Sequence, residues 1–343
     1  MKTLYKMTSK RRFISGMLGG RIDRVPVGSA TSVATVEQEE MTNSYFPDAH
    51  LDGEKMARLA AGAYEILGYD CIMPVFSVVA ESAALGCEID WGDKENMPIN
   101  RSSPWEDPDE VTVPEDFLDK PSIKACLDAI KILRDTYGDQ VAIMGKVMGP
   151  WTMAYHMHGV QEFLMETISD PERVRSFLSK LKKVTVLFGK AQIKAGADVL
   201  CLADHATGDL VSSETYRDFL LSFHKELTKE IGCPMALHIC GDTLDRIKHI
   251  CESGFDCFHF DSKVDAGEAV NEAGGRISLM GNINNPEILL KGSPEEVAEK
   301  AYYAIRAGVQ IVGPECAIPL VTPIENLKKI VKVAEEENNI IGS

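Results

Sequence analysis

Three residues have both the chemistry and the spacing of a metal site. His238 and Cys240 lie two apart at the end of the apolar run PMALHIC, and Cys316 follows a second apolar run, VQIVG. In a strand, residues i and i+2 point to one face, so the imidazole and the first sulfur project together. Imidazole nitrogen and thiolate sulfur are ligands that Zn²⁺ favours, and three protein ligands leave one coordination position open. A structural zinc site usually closes with four ligands, commonly in tight CxxC pairs, which this trio lacks. The pattern therefore reads as a catalytic zinc site. The plainer alternative is a pair of core thiols and a packed histidine, since free cysteine is among the most buried residue types.

Bringing these groups together requires strands whose ends converge. Eight short apolar runs recur at 24–30, 69–76, 140–147, 197–203, 234–240, 256–261, 276–283 and 308–313, each followed by a helical stretch. That alternation predicts an α/β fold, a (β/α)8 TIM-type barrel filling 1–343 as one domain, with an N-terminal helical extension. Gly68, Gly196, Gly254 and Gly308 stand where helices end before the next strand. Ser293-Pro294 and Thr322-Pro323 carry a cap followed by proline, a helix start. Residues 86–120, rich in Asp, Glu, Asn and Pro, break the alternation and are expected to form a hairpin or lid excursion after strand two.

Active sites in such barrels sit at the C-terminal strand ends. His238 and Cys240 close strand five, Asp261 ends strand six, and Asn282 and Asn284 follow strand seven. Cys316 follows strand eight, Asp204 and His205 follow strand four, and Met148-Gly149-Pro150-Trp151 follows strand three. One rim gathers the reactive groups, as a pocket requires.

Composition narrows the class. The 343 residues are 45% hydrophobic and 26% charged, as in ordinary globular proteins, and no stretch approaches a membrane span. The basic N-terminal stretch MKTLYKMTSKRRFISGMLGGR has no continuous apolar core, so neither a signal peptide nor an anchor is expected, and the cytoplasm is the default compartment. A net charge of −16, with no basic stripe, argues against nucleic acid or anionic lipid as partners. Nine cysteines scattered through mostly apolar segments fit reduced thiols better than a disulfide framework.

Several blocks carry a family resemblance: HICGDT, the run from Gly254-Phe255-Asp256 to Asp261-Ser262-Lys263-Val264, Leu279-Met280-Gly281-Asn282, and PECAIPLVTPIENL. They resemble the uroporphyrinogen decarboxylase superfamily, and within it the zinc-dependent corrinoid methyltransferases of the methylcobamide:coenzyme M type. The resemblance, which extends over nearly the whole chain, implies zinc held by His238, Cys240 and Cys316. It also implies a displaceable acidic fourth ligand, Asp261 here, one methylene shorter than the Glu of the family pattern. The arginine-rich N-terminal signature of true decarboxylases is missing; the corresponding stretch reads GRIDRVP.

The resulting expectation is methyl transfer from a methyl-corrinoid, borne on a separate carrier protein, to a small thiol such as coenzyme M, or to a folate. Zinc would strip the thiol's proton. Asp261 and Glu315 are the expected catalytic or ligand-orienting acids, and Glu81 a further orienting group. Trp151, Tyr155, Asn282, Asp204 and His205 are expected to meet corrinoid or substrate, although packing is the commoner role for such aromatics. His156 and His158 are weaker candidates as proton carriers. The alternative activities are a first-component methyltransferase, demethylating a methoxy or methylamine substrate onto a corrinoid protein, and a uroporphyrinogen-decarboxylase-like lyase. A zinc-stabilised scaffold without catalysis is the alternative from another class.

Overall fold

The computed structural model describes residues 6–341, so both ends of the expected 1–343 domain lie outside it. Among the described residues nine strands occur in chain order: β1 (Cys71–Ile72), β2 (Ile89–Asp90), β3 (Ile99–Asn100), β4 (Ala142–Met148), β5 (Val199–Ala203), β6 (Met235–Ile239), β7 (Cys257–Phe260), β8 (Ser278–Ile283) and β9 (Ile311–Pro314). Seven form one curled parallel sheet in the order β1-β4-β5-β6-β7-β8-β9, with helices between successive strands. All of β4, β5, β6, β7 and β9 is buried, which is why these strands read as near-continuous apolar runs.

The first expected strand, 24–30, is only a single bridge, Val27 to Val312, yet it closes the ring. Gly28 N donates to Val312 O and Val312 N to Pro26 O on one side, while Asp70 N donates to Val27 O on the other. Pro26 has no amide hydrogen to extend a ladder. At the seam the backbones nearly touch: a Cβ on Gly313 would lie 1.9 Å from Gly28 O, so position 313 admits no side chain. The second expected strand, 69–76, shrinks to Cys71–Ile72 for a similar reason, with Pro74 following.

The N-terminal extension is the helix Ser9–Met17, capped by the Thr8 side chain. It buries Phe13 and Met17 and meets the strand beginnings, where Lys10 N donates to Gln140 O. Within 86–120, β2 and β3 pair as an antiparallel hairpin. The remainder is lashed to the barrel's flank: Trp105 N donates to Met157 O, Arg173 pairs with Asp107, and Lys180 with Asp109. Among the described residues, no helix is long and apolar enough to cross a membrane.

Candidate metal centre

Strand β6 ends as its periodicity predicts, with His238 and Cys240 projecting to one side. The glycine that follows is required there: Gly241 has φ +82°, and a Cβ would lie 2.3 Å from the Thr207 hydroxyl. Cys316 arrives from the loop after β9. His238 Nε2 lies 3.0 Å from Cys240 Sγ and 3.4 Å from Cys316 Sγ, and the two sulfurs are 2.9 Å apart. One nitrogen and two sulfurs within reach of a common centre form a donor set that fits a zinc ion.

The surroundings hold this set in place. His238 Nδ1 donates to His259 O at 3.2 Å, which leaves Nε2 as the free donor atom. His259, fully buried in β7, donates from Nε2 to Pro314 O at 2.9 Å and so ties β7 to the approach of Cys316. Burial pushes its pKa well below the usual histidine value, keeping the ring neutral. The hydrogen bond between the two sulfurs holds Cys240 well above an ordinary thiol and Cys316 well below one.

Glu315 fastens the loop carrying Cys316. Its carboxylate accepts from Ser262 N at 3.0 Å and Asn285 N at 2.7 Å, while the Asn285 carboxamide donates to Cys316 O and Ala317 O. Asp261 does similar work one loop earlier, accepting from Gly241 N at 2.8 Å and from Lys263 N at 2.9 Å. Both acids therefore border the ligands and steer their loops.

The three donor residues line a cavity of about 280 Å³ whose walls include Lys146, Thr152, Tyr155, His156, Asp204 and His205. Tyr155 thus faces it. Trp151 does not: its ring is fully buried against Phe163, and its indole N–H donates to the Tyr155 hydroxyl at 2.6 Å. Asn282 points elsewhere, donating to Val264 O and lining a separate hollow with Asp265 and Tyr303. Asp204 accepts from Thr152 N at 2.8 Å, serving as the missing cap of the helix Pro150–His158, and pairs with His224 Nε2 at 3.0 Å. Gly149 makes this approach possible, since a Cβ there would lie 2.1 Å from the Asp204 carboxyl carbon. His205 is desolvated, which lowers its pKa. His158 is a structural tie between Trp105 O and Glu166. None of the 86–120 segment lines this cavity among the described residues. A larger hollow of about 640 Å³, between the outer helices Gly53–Glu65 and Pro121–Tyr137, holds no cysteine or histidine.

Glu81 lies below the rim, with one carboxylate oxygen accepting from Met148 N and the other unpartnered. Burial raises its pKa to about 7. A carboxyl with a raised folded-state pKa stabilises the fold most fully below its unfolded value, and that contribution is lost as pH rises through the folded value. Wild-type stability should therefore carry a decline from about pH 4.5 to above pH 7, roughly 3 kcal/mol in size, that Glu81→Gln removes. Urea unfolding of both proteins at the two ends of that range measures the difference, and equal slopes would exclude Glu81 as its source.

A family model described as uroporphyrinogen decarboxylase (URO-D) matches residues 8–337. The chain belongs to the URO-D family. Among its relatives is the methylated-thiol–coenzyme M methyltransferase of Methanosarcina mazei, 36% identical over 96% of this chain and 90% of the relative. The methylcobamide:CoM methyltransferase MtaA of Methanosarcina barkeri is 33% identical over 96% of this chain and 98% of its own. A solved structure of a methyltransferase from Methanosarcina mazei superposes with a TM-score of 0.93 at 30% identity, covering 97% of this chain and 99% of that one. The resemblance carried by HICGDT and PECAIPLVTPIENL is thus borne out. In this URO-D chain two of the N-terminal arginines are engaged internally: Arg12 and Arg24 both pair with Asp70, Arg12 at 2.7 Å and Arg24 at 2.8 Å.

Proposed function

We propose that this protein transfers a methyl group from a methylcobamide to a small thiol, at a zinc ion held by His238, Cys240 and Cys316. The observation that carries the reading is the convergence of one imidazole and two sulfurs on a cavity at the C-terminal ends of the strands. The printed activities of the relatives, methylcobamide:CoM and methylated-thiol–coenzyme M methyl transfer, support the same reaction class. Zinc bound there lowers the pKa of an incoming thiol, so that the acceptor is a thiolate at neutral pH.

The chain's own residues set the conditions. Two thiolates and a neutral imidazole would balance the ion's charge, which leaves the substrate sulfur its full negative character. The His238 Nδ1–His259 O bond holds the imidazole tautomer, and the Glu315 clamp holds the Cys316 loop. Asp261, which accepts from the Gly241 amide next to Cys240, is the acid that would be nearest to a fourth coordination position. A cavity of about 280 Å³ suits a small thiol better than a folate. Tyr155 and His205 line the approach, and the methylcobamide is delivered on a corrinoid carrier protein that docks over this mouth.

Removing the metal tests the assignment. After chelation and gel filtration, methylcobalamin-to-thiol transfer should fall by at least about 10²-fold and return with added Zn²⁺, while far-UV circular dichroism stays unchanged. Collapse of the fold on chelation would instead mark a structural ion. Consumption of a methoxy or methylamine substrate with cob(I)alamin, without thiol methylation, would assign the first-component reaction.

A further inference from the structure

All nine cysteines are free, and five of them are buried. Cys233 and Cys251 are half-buried, and their sulfurs bond to the carbonyls of Pro234 and Ala273. Cys240 and Cys316 combine what the others lack, access and a thiol partner. Their sulfurs lie 2.9 Å apart although the residues are 76 positions apart in the chain, and both residues line the cavity of about 280 Å³. A disulfide bond is about 2.0 Å long, so the pair stands within about 1 Å of covalent contact.

The backbone around the pair permits that closure. Strand β6 ends at Ile239, one residue before Cys240, and Cys316 sits on a bend two residues past the end of β9. The last ladder pairs here are Ile239 with Phe260 and Ile283 with Pro314. Bringing the sulfurs together therefore moves a strand end and a loop, and leaves the sheet as it is.

We propose that Cys240 and Cys316 form a site of reversible oxidation, and that its oxidant is a small organic disulfide, the class to which the oxidised form of a small thiol acceptor belongs. The choice of oxidant rests on the thiol-acceptor reading. One protein sulfur attacks the disulfide: a bond to half of it forms, the bond between its two sulfurs breaks, and the other half leaves as a thiol. The second protein sulfur then attacks the first, the Cys240–Cys316 bond forms, and the second thiol leaves. Two electrons pass from the protein to the disulfide, and the protons of the two cysteines go to the two released thiols. The second step joins atoms already at a near-attack separation, so the mixed disulfide does not accumulate. The bridge consumes the electron pairs that zinc would use, so a bridged protein cannot hold the ion, and excess thiol reverses the change. An oxidised acceptor pool thus switches the site off.

The test uses the full chain, reduced and stripped of metal by chelation, with bis(2-hydroxyethyl) disulfide as the oxidant under argon. The intact mass should fall by two hydrogen atoms with no adduct, and peptide mapping should place the bridge between Cys240 and Cys316. Zinc uptake, read with a chromophoric chelator, should drop at least about tenfold and return with excess dithiothreitol. Glutathione disulfide, too bulky for the cavity, should react at least about tenfold more slowly. Cys316→Ser should retain the hydroxyethylthio group on Cys240, because the second sulfur is missing. The wild-type measurements decide even if that variant does not fold. An unchanged mass, a lasting mixed disulfide on wild type, a bridge between other cysteines, or a rate no higher than with glutathione disulfide overturns the proposal. Reduced protein that forms the bridge yet takes up no zinc upholds the oxidation site and removes the metal reading instead.

Discussion

Replacing Cys316 by alanine is expected to reduce bound zinc from one equivalent toward none and to lower methyl transfer by about 10²- to 10³-fold or more, with helical content unchanged. The reasoning is geometric. Cys316 supplies one of the three donor atoms that converge among the described residues, and it is half-buried in a loop rather than packed in a strand. Its loss removes a ligand without emptying the core. Plasma emission spectroscopy on dialysed protein gives the metal content. Cys201→Ala and Cys257→Ala serve as controls, because both thiols are fully buried and outside the donor set. A Cys316→Ala protein that retains its zinc and its turnover would remove the assigned site altogether.

The largest loss of stability is expected from Asp70→Ala. This carboxylate is fully buried and accepts from Arg12 Nη1 at 2.7 Å, Arg24 Nη1 at 2.8 Å and the Val27 backbone amide at 2.9 Å. Truncation leaves two guanidinium groups without this partner in a dry site and cuts the tie that holds the first strand segment to β1. Breaking a buried ionic contact from one side costs about 3–5 kcal/mol. The exposed pair Lys291–Glu287 is the contrast, since Glu287→Ala should cost about 0.5 kcal/mol or less. Urea denaturation of the three proteins measures both. Asp70→Ala within about 1 kcal/mol of wild type would mean that the knot is decorative.

The convergence of His238, Cys240 and Cys316 was legible in the sequence because its signal is local and periodic: two residues apart on an apolar strand, with a third donor after another. The barrel was legible because eight apolar runs alternate with capped helices. Other parts depend on contacts that no local pattern reports. Val27 closes the ring through one bridge, which looks no different in sequence from a full strand. His224 reaches Asp204 from a distant helix, and the only trace was a histidine on the buried side of an amphipathic stretch. His259 sits in CFHF, and a polar residue inside an apolar strand was the available clue. The same clue marks Lys146 in AIMGKVM. Trp151 shows the converse, an aromatic at the right rim whose ring turns into the core.

The seam between Val27 and Val312 also governs the order of assembly. Its partners stand almost a full chain length apart, so joining them carries a loop-closure entropy of about 5 kcal/mol that must be met before the contact gives anything back. Cys316 follows the seam by a few residues. A nascent chain stalled before residue 316 lacks one of the three converging donors, and so has no complete set with which to capture an ion.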